Sequence, residues 1–385
     1  MRPQTFDQAA ACSGHDRRGA AGRAVHDLMR RAQVPGLSLA VVNHDRLLYA
    51  AGFGRADVGS EDRMTERTAH LWFSMSKVVT GTAAMRLSDE GALDLHAPVS
   101  RYLPSSIPTT GAHQPRVGHL LNHTAGFANP LPLRWVRAAG SPVGNEEFIA
   151  RILRRYGRPR RPPGGHARYS NIGYLVLAEV IAAVAGMPFE DYVNSAVLGP
   201  LGMTRTGYRY LEGSPAATGH VRMPAVLTPA LRLVMPAGIV GPRHGGQTRL
   251  NTFYVRGAGY GGLVGDVVDA GRFAAMHLGD GILGGQRILR AETARRMRRV
   301  QTPGKPFDMG MAWFRRATDQ AAKPSFVEHL GAGGGFFNAM RLYPDLDLAM
   351  VVMTNSTHPI DRDILFDALR ETEYQIPTTA FDGRP

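Results

Sequence analysis

The alternation of apolar and polar positions predicts strands near both ends of the chain. An apolar run over residues 37–42, a polar turn over residues 43–45 and a second apolar run over residues 46–54 predict an antiparallel hairpin. Four more strands are predicted in the C-terminal part, over residues 310–316, 326–330, 338–343 and 348–354. Amphipathic spacing predicts a helix near each end, over residues 16–33 and 361–373.

The middle of the chain has mainly helical patterns. Helices are predicted over residues 75–89, where Glu90 and Gly91 form the end signal, and over residues 172–185. Shorter helices are predicted over residues 116–122 and 145–156, and in two pieces within residues 262–300. Residues 213–260 are rich in proline and glycine and have no strong period, which is typical of loops over a binding cleft.

This order of elements predicts an α/β fold of the α+β type. One antiparallel sheet is flanked by helices, and a mostly helical lobe is inserted into the sheet domain. The sheet domain is assigned to residues 16–110 and 240–385, the inserted lobe to residues 111–239, and residues 1–15 are interpreted as a loose N-terminal segment. A cleft between the two lobes is the expected place for a site.

The composition is that of an ordinary globular protein, with 44% hydrophobic and 20% charged residues among 385. No run of 18 or more apolar residues occurs, so no transmembrane segment is predicted. The N-terminus lacks the apolar stretch of a secretory signal, which favours a cytoplasmic location. The single cysteine, Cys12, excludes an internal disulfide framework and a cysteine-rich metal site, and no cofactor or metal is predicted.

The formal net charge of +13 raises the question of nucleic acid or an anionic membrane as partner. The basic clusters lie at residues 151–161 and 287–299. Neither is interleaved with aromatic residues, and neither fits a nucleic-acid-binding motif. A solvated, arginine-rich surface is therefore favoured over a nucleic-acid partner, and steering of anionic substrates stays open.

The positive charge comes almost entirely from arginine, because lysine occurs only at Lys77, Lys305 and Lys323. Lys77 lies at the start of a predicted helix, one turn after Ser74. A desolvated lysine can lose its proton near neutral pH, whereas arginine cannot. Ser74 is thus a candidate nucleophile and Lys77 its candidate base, although a helix cap and a surface lysine would give the same spacing.

Two further segments have residue types suited to this chemistry. Tyr169 can relay a proton if a nearby ammonium lowers its pKa, and Asn171 can donate to a substrate carbonyl or orient the lysine through its side-chain oxygen. The glycine-rich run after His329 lets a substrate approach the backbone, where an edge N–H can complete an oxyanion hole with the N–H of Ser74. Taken alone, each segment also fits a purely structural role.

Together, these elements resemble the serine β-lactamase and penicillin-binding superfamily. The likeness is carried by Ser-x-x-Lys at residues 74–77, Tyr-x-Asn at 169–171 and His-x-Gly at 329–331, and it extends over most of residues 30–370. The class C-like branch of esterases, D-aminopeptidases, acyltransferases and class C β-lactamases is the most similar. Matching segments also occur at residues 34–36, 93–104, 119–126, 200–204 and 261–263.

The resemblance implies an acyl-enzyme at Ser74, with Lys77 and Tyr169 sharing the base and acid roles. It also implies an oxyanion hole made by the backbone N–H groups of Ser74 and Ala332. Asn171 and the segment His329-Leu330-Gly331 are then expected to contact the substrate.

The third element departs from the pattern of penicillin-recognising members, which usually have Lys-Thr/Ser-Gly. A substrate carboxylate requires a fixed cation and a hydroxyl donor, whereas Leu330 has no donor and His329 is mostly neutral at pH 7. The sequence therefore favours a serine hydrolase that acts on uncharged esters, a carboxylesterase with a small-molecule ester or acyl donor as partner. An acyltransferase, a D-amino-acid amidase or β-lactamase, and a non-catalytic binding protein are the alternatives, and the oligomeric state is open.

Two other patterns are interpreted as structural or accidental. His119 and His123 have helical i, i+4 spacing but no evident third ligand, so a metal site is not predicted there. The run Gly257-x-Gly259-x-x-Gly262 matches a dinucleotide fingerprint in form, but it lacks the preceding βαβ pattern and the acidic residue.

Overall fold

The computed structural model describes residue 6 and residues 20–103, 114–141, 146–319, 321–322 and 324–372. Within the predicted N-terminal segment 1–15 it describes only Phe6, which is buried and lies under the guanidinium of Arg272. The other residues of that segment, including Cys12, lie outside the described residues.

The described residues form eleven α-helices and sixteen strands. The α-helices are α1 Ala20–Ala32, α2 Ser76–Asp89, α3 Val117–Leu121, α4 Glu146–Tyr156, α5 Asn171–Ala185, α6 Phe189–Val193, α7 Thr228–Val234, α8 Ala258–Gly261, α9 Val267–Leu278, α10 Ala291–Arg298 and α11 Arg362–Thr372. The strands are β1 Gly36–Val42, β2 Leu47–Gly54, β3 His70–Leu71, β4 Val136–Ala138, β5 Gly219–Arg222, β6 Val240–His244, β7 Gln247–Leu250, β8 Phe253–Val255, β9 Val264–Gly265, β10 Ile282–Leu283, β11 Gln286–Arg287, β12 Phe307–Met309, β13 Phe314–Arg316, β14 Val327–Gly333, β15 Phe336–Tyr343 and β16 Leu348–Thr354.

One antiparallel sheet of seven strands dominates the fold, in the order β12-β13-β14-β15-β16-β1-β2. The N-terminal hairpin joins the C-terminal strands through β1 and β16, where Leu37 is opposite Thr354 and Val42 is opposite Ala349. Every residue of β1 and β16 is buried, which is expected of central strands covered on both faces. The predicted α+β fold, with a large antiparallel sheet and flanking helices, is confirmed.

Helices cover both faces of this sheet. The amphipathic helices α1 and α11 pack together over one face, with Val25, Leu28, Leu365 and Phe366 in the shared apolar layer. Helix α9 packs on the opposite face against β1 and β16, and the largest core continues from there to α2 and α5. The helices predicted in the middle of the chain are confirmed, whereas the division into a sheet domain and an inserted lobe stays a prediction.

Two segments differ from the sequence-based expectation. The strand predicted over residues 310–316 forms only from Phe314, as β13, because residues 310–313 are the turn between β12 and β13. In that turn Ala312 has a left-handed φ of 71°, and its N–H donates to the carbonyl of Leu121. Residues 213–260 are not only loops, since β5, β7 and β6 form a small antiparallel sheet there and α7 follows β5. Those strands are short and interrupted by a register shift, so they leave little period in the sequence.

No single helix of the described residues is both long and apolar enough to cross a membrane. The apolar helix Asn171–Ala185 reaches the required length only together with the segment Phe189–Leu198, and the chain bends by 78° between them.

A buried ion cluster fixes α11 to the sheet. Glu328 on β14 is fully buried and accepts hydrogen bonds from Arg341 on β15 and from Arg362 on α11, at 2.7 to 3.1 Å. Arg341 also donates to Asp363 at 2.5 Å, and its guanidinium lies 3.9 Å from the ring centre of Phe326. The buried Glu328 carboxylate thus pairs with both guanidinium groups, which have little access to water, and the partly exposed Asp363 gives Arg341 a second partner.

We expect Glu328→Ala to lower the free energy of unfolding by roughly 3–5 kcal/mol, because it leaves two buried guanidinium groups poorly compensated. Urea denaturation measures this loss. Glu61→Ala is the matched control, since Glu61 pairs with Arg55 at the surface and exposed pairs contribute little. Equal effects of the two substitutions would contradict the role given to the cluster.

Candidate active site

Ser74 lies on a 3₁₀ turn, Phe73–Met75, directly before α2. From residue 68 to residue 85 every residue except Ser74 is buried. Phe73 has a left-handed φ of 47°, a conformation that costs energy in a residue with a side chain. Its ring packs on β14, where a Cβ on Gly333 would lie 2.0 Å from it. The turn therefore presents the Ser74 hydroxyl to the cleft, near the free N–H groups that begin α2.

The amine of Lys77 lies one helical turn away and faces Ser74. Its Nζ is 3.0 Å from Ser74 Oγ and donates to the carbonyl oxygen of Tyr260 at 2.8 Å. The residue is fully buried, and burial lowers its pKa well below the usual value for lysine. The rings of Tyr169, Tyr174 and Tyr260 surround Nζ, with centres 4.8 to 5.6 Å away. A neutral amine in this position has a lone pair for the Ser74 proton.

Tyr169 is brought to the same place by the extended segment before α5. Burial raises the pKa of its hydroxyl well above the usual value, and the hydrogen bond with the Ser74 side chain lowers it only in part. We expected from the sequence that a nearby ammonium lowers this pKa, whereas burial is the largest influence on it and raises it. Tyr169 enters the site as a neutral hydroxyl that can donate or relay a proton.

His123 belongs to the site, although its spacing with His119 indicated only a structural role. Its ring stacks on Tyr169 with centres 4.5 Å apart, and its Nδ1 accepts the backbone N–H of Ser170 at 3.1 Å. Burial lowers the pKa of His123 well below the usual value, so the ring is neutral, and its Nε2 has no hydrogen-bond partner among the described residues. The left-handed φ of 58° marks a strained residue. His119 does not share this place, because its Nδ1 accepts the N–H of Arg116.

The segment His329-Leu330-Gly331 lies on β14 beside the site. His329 is fully buried with its ring centre 6.3 Å from that of Tyr169, and burial together with the charge of Lys77 lowers its pKa to about 3. The imidazole is therefore neutral at pH 7. Leu330 packs instead among Ala167, Met309 and Phe314. Gly331 packs against the backbone carbonyl of Trp72, because a Cβ on Gly331 would lie 2.1 Å from that oxygen.

A largely apolar cavity of about 320 Å³ opens beside Ser74. Ser74, Asn171 and Ala332 line it, whereas His329, Leu330 and Gly331 do not. Its other walls are mainly apolar, formed by residues such as Phe73, Leu133, Leu231, Met235, Phe253 and Val255. No charged side chain is among the residues that line it, so the cavity fits a neutral, apolar group.

Asn171 lies at the edge of this cavity with its amide available to a ligand. Its backbone N–H donates to Asn129 Oδ1 at 3.0 Å, and its own side-chain oxygen has no partner within the described part of the chain. The hydrogen bonds of Lys77 go to Ser74 and Tyr260. The predicted alternative for Asn171, contact with substrate, is thus the one that this geometry favours over orienting the lysine.

No group of three or more His, Cys, Asp or Glu side chains is arranged to hold a metal ion in the part of the chain that the structure describes. The arrangement instead combines a serine hydroxyl, a buried amine with a lowered pKa and a phenol beside a largely apolar cavity. These are the parts that acyl transfer through a covalent serine ester requires.

The chain is similar to known proteins over most of its length. The beta-lactamase family profile matches residues 21–373. A D-alanyl-D-alanine-carboxypeptidase/endopeptidase, AmpH of Escherichia coli (strain K12), is 25% identical over 337 residues, which cover 83% of this chain and 80% of AmpH.

Two solved structures show the same fold. The D-amino acid amidase from Ochrobactrum anthropi SV3 has a TM-score of 0.74 at 23% identity, over 91% of this chain and 97% of the amidase. EstCE1, a hydrolase with promiscuous acyltransferase activity, has a TM-score of 0.66 at 22% identity, over 91% of this chain and 98% of EstCE1. The chain belongs to the beta-lactamase family, a family of serine hydrolases, and the predicted superfamily is confirmed.

We expect substitutions of His123 to rank by backbone preference and hydrogen bonding. His123→Asn should be the mildest, because asparagine tolerates a positive φ and its oxygen can accept the Ser170 N–H. His123→Val should lower the free energy of unfolding by roughly 2–5 kcal/mol. It leaves the Ser170 N–H without an acceptor and forces a β-branched residue into the left-handed region.

Urea denaturation of these variants measures the order. His119→Val is the control, because His119 lies within α3 and is not in the left-handed region. A valine at residue 123 that is tolerated as well as asparagine would show that neither the strain nor the hydrogen bond matters.

Proposed function

We propose that this protein is a carboxylesterase that cleaves uncharged esters through an acyl-enzyme at Ser74. The observation that carries the proposal is the 3.0 Å approach of the buried Lys77 amine, whose pKa burial lowers well below the usual value, to the Ser74 hydroxyl beside a cavity whose lining has no charged side chain. A nucleophile with a base one helical turn away is activated for attack on a carbonyl carbon.

The reaction begins when Ser74 Oγ forms a bond to the ester carbonyl carbon while its proton passes to Nζ of Lys77. The backbone N–H groups of Ser74 and Ala332 are proposed to stabilise the tetrahedral oxyanion. The carbon–oxygen bond to the alcohol then breaks, and the leaving oxygen takes the proton from Lys77 through the neutral hydroxyl of Tyr169. Water attacks the acyl-enzyme with the same residues acting in reverse order, which frees Ser74 and the acid.

The uncharged cavity supports esters over carboxylate-bearing substrates. A terminal carboxylate, as in a β-lactam or a D-alanyl-D-alanine peptide, needs a cation and donors fixed near the reacting carbonyl. The described lining has no cation, and His329 is neutral because of its burial. AmpH is named for a D-alanyl-D-alanine substrate, and this chain is proposed to differ from it in substrate for that reason.

An acyltransferase is the second candidate. The apolar walls beside Ser74 reduce the access of water to an acyl-enzyme, which favours attack by an alcohol or amine that binds there. Measuring transfer product against free acid with added alcohols separates the two. Two less favoured alternatives are a D-amino-acid amidase or β-lactamase and a non-catalytic protein. The cytoplasmic location stays a prediction.

We expect short p-nitrophenyl esters to be turned over, or to leave an acyl group on the protein that intact-mass spectrometry detects. Ser74→Ala should abolish both results, and a penicillin should leave the mass unchanged, because nothing in the cavity pairs with its carboxylate. A long-lived penicillin adduct would show that the substrate class is wrong. Absence of turnover and of adducts with every ester would favour the non-catalytic alternative.

We expect Lys77→Arg to lower kcat/KM for esters by roughly 10²–10⁴-fold, because arginine keeps the positive charge but does not accept a proton. Lys305→Arg is the matched control, since Lys305 is exposed in a loop. The neutral amine is the active form and burial lowers its pKa, so wild-type activity should fall only when the pH drops through that lowered pKa. Near wild-type activity of Lys77→Arg would exclude Lys77 as the base.

A further inference from the structure

Six of the nine large hydrophobic side chains that the described residues expose lie in two segments that also contribute to the cavity wall, residues 131–136 and 221–235. These six are called the mouth patch: Leu131, Leu133, Val226, Leu227, Leu233 and Val234. Leu131, Val226 and Leu233 are exposed to 81%, 80% and 78%. A concentration of exposed apolar side chains on one surface marks an interaction site more often than a scatter of single ones.

The patch is continuous because its two segments are joined. Arg134 donates to the carbonyl oxygens of Leu233 and Val234, both at 3.2 Å, which ties the loop before β4 to α7. The patch also reaches the cavity, since Leu133 belongs to both the patch and the cavity wall.

The helical segment over residues 225–234 has two apolar sides. Val226, Ala230 and Leu233 are spaced i, i+4 and i+7, so they share one side, and all three are exposed. Leu231 lies on another side and forms part of the cavity wall. A helix that is apolar towards both water and the cavity is not explained by packing within the described chain.

The segments that form the patch carry arginines and have no acidic residue. No Asp or Glu occurs over residues 95–145 or 213–265. Arg134, Arg222 and Arg232 are exposed beside the patch, and none of them pairs with a carboxylate among the residues described. The surface therefore presents apolar side chains together with uncompensated positive charge, which complements a layer of lipid with anionic headgroups.

We propose that the mouth patch docks onto an anionic lipid surface, from which an ester enters the cavity beside Ser74. Three side chains of the mouth patch are about four-fifths exposed, so each projects into solvent. A fluid lipid layer accepts projecting side chains of any shape, whereas a protein partner needs a closely complementary surface. Docking itself does not depend on catalysis, and only delivery of the ester rests on the proposed function.

The binding experiment uses the full chain and sedimentation with vesicles of phosphatidylcholine, alone or mixed with phosphatidylglycerol. We expect binding to the mixed vesicles at low salt and its loss at high salt. Val226→Gln with Leu233→Gln should lower the partition coefficient roughly tenfold or more, because two apolar side chains no longer insert. Arg232→Gln should lower it about fivefold on mixed vesicles only. Ile364→Gln is the matched control, an exposed apolar residue on α11 outside the patch.

The activity experiment compares an ester held in the same vesicles with soluble p-nitrophenyl acetate. The double glutamine variant should hydrolyse the soluble ester at the wild-type rate, since neither residue lines the cavity, and should lose activity on the vesicle ester in proportion to its lost binding. Binding by Ser74→Ala equal to wild type would support docking even if neither ester is hydrolysed, which would overturn the proposed function alone.

Three outcomes would overturn the proposed docking. Wild-type protein could stay free of both kinds of vesicle at low salt. The glutamine variant could bind as strongly as wild type. Analytical ultracentrifugation could show that wild type self-associates and that the variant is a monomer, in which case the patch is an interface between copies of this chain. Equal binding to neutral and mixed vesicles would overturn the requirement for anionic lipid.

Discussion

The burial of one amine without a charged partner is the constraint on which the site depends. Water and carboxylates are excluded around Lys77 by three tyrosine rings and by the tight approach of α8 to α2, where Thr80 donates to the carbonyl oxygen of Gly259 at 2.8 Å. Burial is the cause of the lowered pKa, so the proposed role of Lys77 as base depends on this packing. The stability of the large core between α2, α5 and α8 is thereby linked to the chemistry of a single side chain.

Backbone strain is concentrated where this packing meets the reacting groups. Phe73 and His123 are two of the residues with side chains in the left-handed region. Phe73 directly precedes Ser74, and His123 stacks on Tyr169. Each conformation costs of the order of 1–3 kcal/mol and persists because surrounding contacts fix it. The central strands supply that stability through buried pairing of β1 with β16, and Glu328 secures α11 across the sheet. Energy gained far from the cleft thus offsets strain inside it.

The sequence predicted what depends on local pattern. Helix α2, the hairpin and the C-terminal strands have clear periods, and the rarity of lysine identified Lys77 beside Ser74 before any fold was known. The sequence could not identify His123 as part of the site, because its stacking on Tyr169 joins residues 46 positions apart and leaves no periodic signal. The raised pKa of Tyr169 was missed for the same reason, since burial by distant segments decides it. The small sheet β5-β7-β6 was not predicted, because its strands are too short to leave a clear period in the sequence.

Charge is distributed in opposite ways at the surface and in the cavity. The chain has a formal net charge of +13, yet no charged side chain lines the cavity beside Ser74. A cation at that wall would disfavour protonation of Lys77 still further but would also attract carboxylates and water. Arginines on the outer surface can attract an anionic partner there. In salt solution this attraction is screened beyond about 10 Å, so it has little effect on the reacting groups in the cavity. Because the cavity wall has no charge to pair with a charged substrate group, neutral acyl groups have the lowest desolvation cost on entering the cavity.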